Sequence, residues 1–382
     1  MMPADISPAV AALAQDRPAE ARPLLESATR SNPRDAMAWA LLAQTYWRLK
    51  QPANAAAAAK RAELTADAKV QHALAIYYAQ SGNRKKAAQL ETIFARGPEA
   101  DKAAASRAAL LSWEAGDHAA AIEMGELALR REDRPETREL LARAYEKAGR
   151  QDDAIAQRRE VVRLRPYSEE ARVELGKLLL RAGRFTEASQ FLEEARASFD
   201  KSPDIDLALG VALYSLRRFD DAASRFLRVI ELAPDVEQPY IFLARMIEQV
   251  PGRVAELLPR AAEWNRRETG NHYAPFVYAK TLQAAGESAE RVQPLFEESI
   301  RRQPRFWESH FEYAQVLEQR GNLAGAAGEL RTAIALNAQQ AAPHYRLARI
   351  YDRLGQRPQA ARERAIHAQL LEKEKSHGVE TH

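Results

Sequence analysis

The sequence predicts an all-α solenoid, a stack of short antiparallel helix pairs, and three spacings predict it. A small residue recurs at Ala43, Ala75, Ala109, Ala142, Gly176, Gly210, Ala244, Ala279, Ala314 and Ala348, in steps of 32 to 35 residues. Twelve residues after most of these comes a second small residue, at Ala55, Ala87, Ala121, Ala154, Ala188, Ala222, Ala326 and Ala360, with Ala21 one period ahead. Between the two lies a glycine, at Gly82, Gly116, Gly149, Gly183, Gly286, Gly321 and Gly355. Glycine suits that place because a helix C-terminus often closes through a left-handed residue.

Ser202 to Pro234 shows how one unit is built. Ser202 is a good N-cap, Pro203 fits the first helical position, and Asp204 and Asp206 fit the positive end of the helix dipole. Leu209, Gly210 and Leu213 share one face; Arg217 and Arg218 mark a turn; Phe219, Ala222, Phe226 and Val229 share a face of a second helix that Pro234 ends. Gly210 and Ala222 let the two backbones approach while the large residues fill the seam. Neither helix is long enough to be stable alone, so such a unit needs neighbours.

A period near 34 residues, with large–small pairs such as Leu42-Ala43, Leu141-Ala142, Leu175-Gly176 and Leu209-Gly210, resembles the tetratricopeptide repeat. So do the aromatic three residues after the small one (Tyr46, Tyr78, Tyr145, Tyr351), the closing prolines Pro33, Pro166 and Pro234, and Trp39 at the first aromatic position. The resemblance implies a right-handed superhelix of about eleven repeats in a single domain over 1–375, with repeats starting near 2, 36, 68, 102, 135, 169, 203, 237, 272, 307 and 341. It also implies that the first helix of each pair lines a concave groove.

Taken in order, the first repeat is abbreviated: Ser7-Pro8 starts a short helix through Ala14, and Pro18 starts a second that ends at Asn32-Pro33. The second contains the run Ala55 to Ala59, which implies close helix packing, and the repeats from 135, 169 and 203 are the most regular. The eighth, 237–271, departs. Its turn becomes Gln249-Val250-Pro251-Gly252, and Ala255, Ala261 and Ala262 lie near the second small position without being in it. A hinge, a change of pitch and harmless drift are all consistent with that. The last repeat sets Arg364 and His367 where the others are apolar, as a solubilising cap requires. The tail 376–382 has no periodicity and is expected to be disordered.

Composition narrows the function. The 46% hydrophobic and 29% charged fractions are ordinary for a soluble protein, and a formal charge of +3 over 382 residues argues against nucleic acid as a partner. The chain has no cysteine, which excludes disulfides, thiolate catalysis and cysteine metal sites. No apolar run reaches membrane-spanning length. The N-terminus has a short apolar stretch and no positive n-region, so the expected compartment is the cytoplasm; an exported protein stripped of its signal would read the same and be periplasmic.

No phosphate-binding glycine loop, HExxH, GxSxG or dinucleotide fingerprint is present, so the chain is expected to be non-catalytic and to use no cofactor. His310 and His344 share a repeat position and could meet, but no third ligand falls in register with them, which favours packing over metal. The groove remains. By the resemblance, the residue after each marker and the one four before it face inward. The later position runs Gln44, Ile76, Leu110, Arg143, Lys177, Val211, Arg245, Lys280, Gln315, Arg349; the earlier position includes Phe276, Phe311 and Tyr345, and Trp47, Trp113 and Tyr214 lie one turn beyond the later one. Repeats two to four thus present an apolar and aromatic wall, and repeats five onward a basic one. That wall suits an extended or helical partner segment carrying carboxylates beside apolar anchors. Self-assembly through Trp47 and Trp113 is the second reading, and RNA binding a poor third. Family members that clamp a terminal carboxylate use inward asparagines, and here only Gln44 and Gln315 stand in for them.

Overall fold

A computed structural model describes residues 5–379, with side chains to residue 373. Among the described residues there are 22 α-helices and no strand. The chain divides into two compact units, Met1–Ala182 and Gly183–His382. The first holds α1 (Ser7–Ala14), α2 (Pro18–Ser31), α3 (Ala36–Arg48), α4 (Pro52–Ala62), α5 (Ala68–Gln80), α6 (Arg84–Arg96), α7 (Ala104–Glu114), α8 (His118–Arg131), α9 (Pro135–Lys147), α10 (Gln151–Leu164) and α11 (Glu169–Arg181). The second holds α12 (Phe185–Ser198), α13 (Pro203–Ser215), α14 (Phe219–Leu232), α15 (Gln238–Arg245), α16 (Val254–Arg267), α17 (Tyr273–Ala284), α18 (Ala289–Arg302), α19 (Trp307–Gln319), α20 (Leu323–Leu336), α21 (Ala341–Arg353) and α22 (Arg357–Val379).

Within each unit the odd-numbered helix packs on the even one that follows, and the even one packs on the next odd one, which is solenoid stacking; the exception is α15, whose backbone lies against α14 and α17 rather than α16. The spacing of small residues explains why. All nine alanines of the second series, Ala21 and Ala55 through Ala360, are fully buried, and each marker alanine of the first series is at most 1% exposed. A methyl or a hydrogen at these places lets the axes close up. At Gly210 even a methyl is too large: a Cβ there would lie 2.6 Å from Cε1 of Phe226, whose ring stacks on Phe242.

The helix ends follow their local chemistry. Ser202 accepts the Ile205 N–H at 3.1 Å, and Asp35, Asp67 and Asp117 cap α3, α5 and α8 in the same way. All seven turn glycines have positive φ, between 72° and 85°. In three repeats without that glycine the chain turns left-handed all the same, at Asp16, Lys50 and Arg217.

A second device ties first helices to the loops before them. Four residues before the marker, Trp39 Nε1 donates to the Pro33 carbonyl, Tyr240 Oη to that of Pro234, and a guanidinium nitrogen of Arg172 to that of Pro166. His310 stands at the same place. Its Nε2 meets the Pro304 carbonyl at 3.0 Å and its Nδ1 meets Glu329 at 2.6 Å. His344 pairs with Glu363 at 2.6 Å in the next repeat, so each histidine serves its own helix pair rather than a shared ligand set.

Repeat eight is irregular because its first helix is cut short. α15 ends at Arg245, two 3-10 turns at Ile247–Gln249 and Pro251–Arg253 follow, and α16 starts after them. The pair closes on aromatic surface instead of a phased alanine, with Trp264 stacked on Tyr240 at 4.4 Å and Ala261 fully buried. Asp206, placed at the positive end of a helix dipole, does more than that. It is 0% exposed and held by Arg225 at 3.4 Å, and one carboxylate oxygen has no partner within the protein; burial pushes its pKa up against that arginine. At the C-terminus α22 continues to Val379, four residues into the segment expected to be disordered, and residues 380–382 lie outside the described residues.

Candidate functional site

The first helices of the first unit carry two recesses. One opens between α5 and α7, about 270 Å³ in volume, over Ala75, Ile76, Ala79, Leu110 and Leu111. Its lining is apolar because α7 offers mostly alanine to the core, with Ala104, Ala105, Ala108 and Ala109 all buried. Small core residues leave the larger side chains of that helix at the surface, and Leu110 is 47% exposed. The floor is held by charge. Glu91 is buried and takes His72 Nδ1 at 2.6 Å and Arg107 Nε at 2.9 Å, and Arg107 reaches on to Asp101 at 2.9 Å.

The second recess, about 250 Å³, lies between α9 and α11 and is polar. Three arginines and three glutamates line it: Arg143, Arg158 and Arg165 with Glu139, Glu170 and Glu174. Arg165 is engaged by both Glu136 and Glu139. Arg158 is nine-tenths buried, its Nε has no partner within the protein, and its nearest carboxylate, on Glu174, is 3.9 Å away. Arg143 rests on the Trp113 ring at 5.8 Å, and among the described residues no carboxylate pairs with it. The structure thus brings Trp113 and Arg143 together, while Trp47 turns its ring edge to Tyr77 at 6.3 Å. Lys177 is exposed beside Glu174 at 3.6 Å.

The expected basic wall of the second unit carries its own counter-charges. Arg245 is paired with Glu308 at 3.1 Å, and Lys280 is nearly buried between Glu312 at 2.9 Å and Glu248 at 3.6 Å. Arg349 stays exposed. The aromatics divide. Phe276 is not a groove residue: it is 4% exposed and packs edge-on against Phe296 and Phe306. Tyr214 is half-buried against Phe219 and Phe242, and Phe311 is covered by the Arg346 guanidinium at 4.6 Å. Tyr345 alone of these is well exposed, at 50%, with His367 beside its ring. Gln44 is also removed from the wall, because its side chain is buried and donates to the Ala73 carbonyl at 2.7 Å.

Two features escaped the sequence. Glu308 and Glu312 sit on α19, 63 and 32 residues from their cations, so no local pattern announces the pairing. Arg158 lies on a second helix, outside the series of inward positions on the first helices, yet it reaches the recess between α9 and α11. Among the described residues no group of three or more histidines and acids could hold a metal ion, and no helix is long and apolar enough to cross a membrane.

A model of the tetratricopeptide repeat family matches residues 9–69, 139–204, 173–237 and 282–344, more than half of the chain. No curated protein matches the sequence. Among solved structures, a chain of the Naa15/Naa10 assembly bound to HypK-THB matches with TM-score 0.53 and 15% identity, over 94% of this chain and 67% of that one. Yeast Tom70 matches with TM-score 0.45 and 15% identity over 95% and 83%, and the C-terminal part of a repeat protein from Cytophaga hutchinsonii with 0.45 and 16% over 70% and 95%. At such identity the first of these speaks for the fold alone.

Proposed function

Because this chain belongs to the tetratricopeptide repeat family, we propose that it is a non-catalytic scaffold holding a segment of a partner protein against its first helices. The segment lies on the first unit. It places an aliphatic side chain in the recess over Ile76 and Leu110, and a carboxylate at Arg143 and Arg158. The observation that carries this reading is the contrast in neutralisation: Arg143 rests on an aromatic face and pairs with no carboxylate among the described residues, while Arg245 and Lys280 are satisfied by glutamates of their own unit. A guanidinium without a carboxylate can still form a charge-assisted pair, whereas displacing Glu312 from a nearly buried lysine costs as much as it returns.

Selection of random peptides on the immobilised protein tests this. Recovered peptides should combine an aliphatic residue with an acidic one, and their binding should weaken as salt rises. Leu110→Arg and Arg143→Glu should each cost about tenfold in affinity, on the order of 1.4 kcal/mol. Arg245→Glu should change little. Peptides indifferent to the first two substitutions would remove the first unit from the proposal.

A further inference from the structure

A cleft of about 870 Å³ lies on the side of the second helices in the first unit, between α6, the end of α7 and the start of α8. Its origin is visible in the repeat register. Three residues after the marker, four repeats place Tyr46, Tyr78, Tyr145 and Tyr351, and five others place leucine or isoleucine. The fourth repeat places Ser112. In the repeat that follows, Tyr145 crosses to the preceding second helix and donates to Glu126 at 2.6 Å, 19 residues back; two repeats earlier Tyr46 does the same to Glu26 at 3.0 Å, 20 residues back; and in the repeat before, Tyr78 reaches Glu63, just past the end of α4, at 2.6 Å. Counting back from Ser112 by the intervals of Tyr46 and Tyr145 gives Thr92 and Ile93. Both line the cleft, together with Ala88, Ala115 and His118. The fourth repeat therefore lacks the ring and the acid that receives its hydroxyl.

What replaces them is not apolar. Ser112 is fully buried at the base of the cleft and its Oγ has no partner within the protein; Nδ1 of His118, also buried, has none either. Buried polar atoms without partners are uncommon, because each forfeits its hydration for nothing. Ile93, 48% exposed, stands at the rim as an apolar contact. Lys85, Gln89, Arg96 and Asp117 complete the lining around the apolar stretch of Ala88, Ile93 and Ala115; a volume in the range that encloses small ligands, roughly 300–1,000 Å³, with an apolar stretch and a few converging polar atoms, is the usual form of a ligand site.

We propose that this cleft binds a phenol-like group, an aromatic ring carrying a hydroxyl, which takes the place that the chain's own tyrosine takes in neighbouring repeats. The ring lies along Ala88, Ile93 and Ala115, and the hydroxyl meets the polar end of the cleft, where Thr92, Ser112 and His118 offer hydrogen bonds. The proposal is independent of the peptide reading above, which concerns the first helices.

The test titrates p-cresol into the full chain labelled at its isoleucine and threonine methyls. A second titration uses a blocked Gly-Tyr-Gly tripeptide, which separates a free phenol from a tyrosine side chain on a polypeptide. Saturable shifts of Ile93 and Thr92 are expected with p-cresol; equal shifts with the tripeptide assign the site to a partner's tyrosine, and their absence assigns it to a small molecule. Ser112→Tyr should raise the melting temperature by filling the cleft from within, and abolish the shifts. Ile93→Trp, on the exposed rim, should close the mouth without entering the core and give the same loss. No saturable shift up to the solubility limit would overturn the proposal. So would undiminished binding by Ile93→Trp, or a Ser112→Tyr protein that melts lower than the parent.

Discussion

The two units place the same repeat positions on the same kind of helix and use them differently. In the first, α7 packs on alanine, its large side chains remain outside, and no carboxylate pairs with Arg143 among the described residues. In the second, aromatic rings fill the space between helices, as in the pairs Phe226–Phe242 and Tyr240–Trp264, and the inward cations Arg245 and Lys280 are matched by glutamates. The difference teaches that an inward position in a solenoid becomes binding surface only when the core beneath is already full. Where the core is built of alanine, a leucine one step round the helix is surplus and is left to a partner. Where the core is short of volume, as around α17, a phenylalanine in the nominal groove position is drawn inward.

The sharpest way to break that comparison is to truncate one residue of each kind. Phe276→Ala removes a ring 4% exposed that touches Phe296 and Phe306, and should cost about 3–5 kcal/mol of unfolding free energy. Leu110→Ala removes a side chain 47% exposed and should cost under about 1 kcal/mol while weakening peptide binding. Urea titrations of the two variants decide it. Equal costs would mean that the first unit's surface leucine is as structural as the second unit's buried ring.

His310 sharpens the comparison through pH. Burial disfavours its charged form, but Glu329 and the Pro304 carbonyl both accept from the ring, and together they raise its pKa above the ordinary value. A group whose folded pKa is raised contributes stability that is fully present below the unfolded value, near 6.5, and is lost as pH rises through the folded one. Glu329 is the acid that faces the ring, so its protonation at low pH removes the same contribution from the other side. Melting curves between mildly acidic and mildly alkaline pH should show the parent losing several degrees relative to His310→Gln. Parallel curves would mean that the ring titrates alike in the folded and unfolded chain.

What the sequence made legible was the part set by periodicity. The small residues recur because backbones must approach there, and the glycines because a left-handed turn is cheapest without a Cβ; both are local demands and leave a local record. From the second repeat on, the first helices begin within two residues of the starts read from the sequence. The candidate site was legible only as a row of positions. Whether Lys280 is free depends on Glu312, and whether Phe276 is free depends on the volume left by Phe296 and Phe306, and neither condition is written next to the residue it governs. The missing tyrosine at Ser112 was readable in principle, since the aromatic series runs Tyr46, Tyr78, Tyr145 and skips one repeat.

The smallest expected effect lies at the turns, and it separates what a repeat needs from what it tolerates. Lys50 in the first unit and Arg217 in the second hold φ values of 58° and 59° at the place where seven other repeats use glycine. A left-handed conformation costs a residue with a Cβ roughly 1–2 kcal/mol, and glycine escapes that cost while giving some back through the greater freedom of its unfolded chain. Lys50→Gly and Arg217→Gly should therefore each stabilise by about 0.5–1 kcal/mol, visible as a rise in denaturation midpoint with unchanged slope. Both side chains are exposed and make no ion pair among the described residues, so no lost contact offsets the gain. A gain at one turn and not the other would show that the two units hold their hairpins by different means; a loss at both would mean that the left-handed turn is held by its neighbours and strains neither residue.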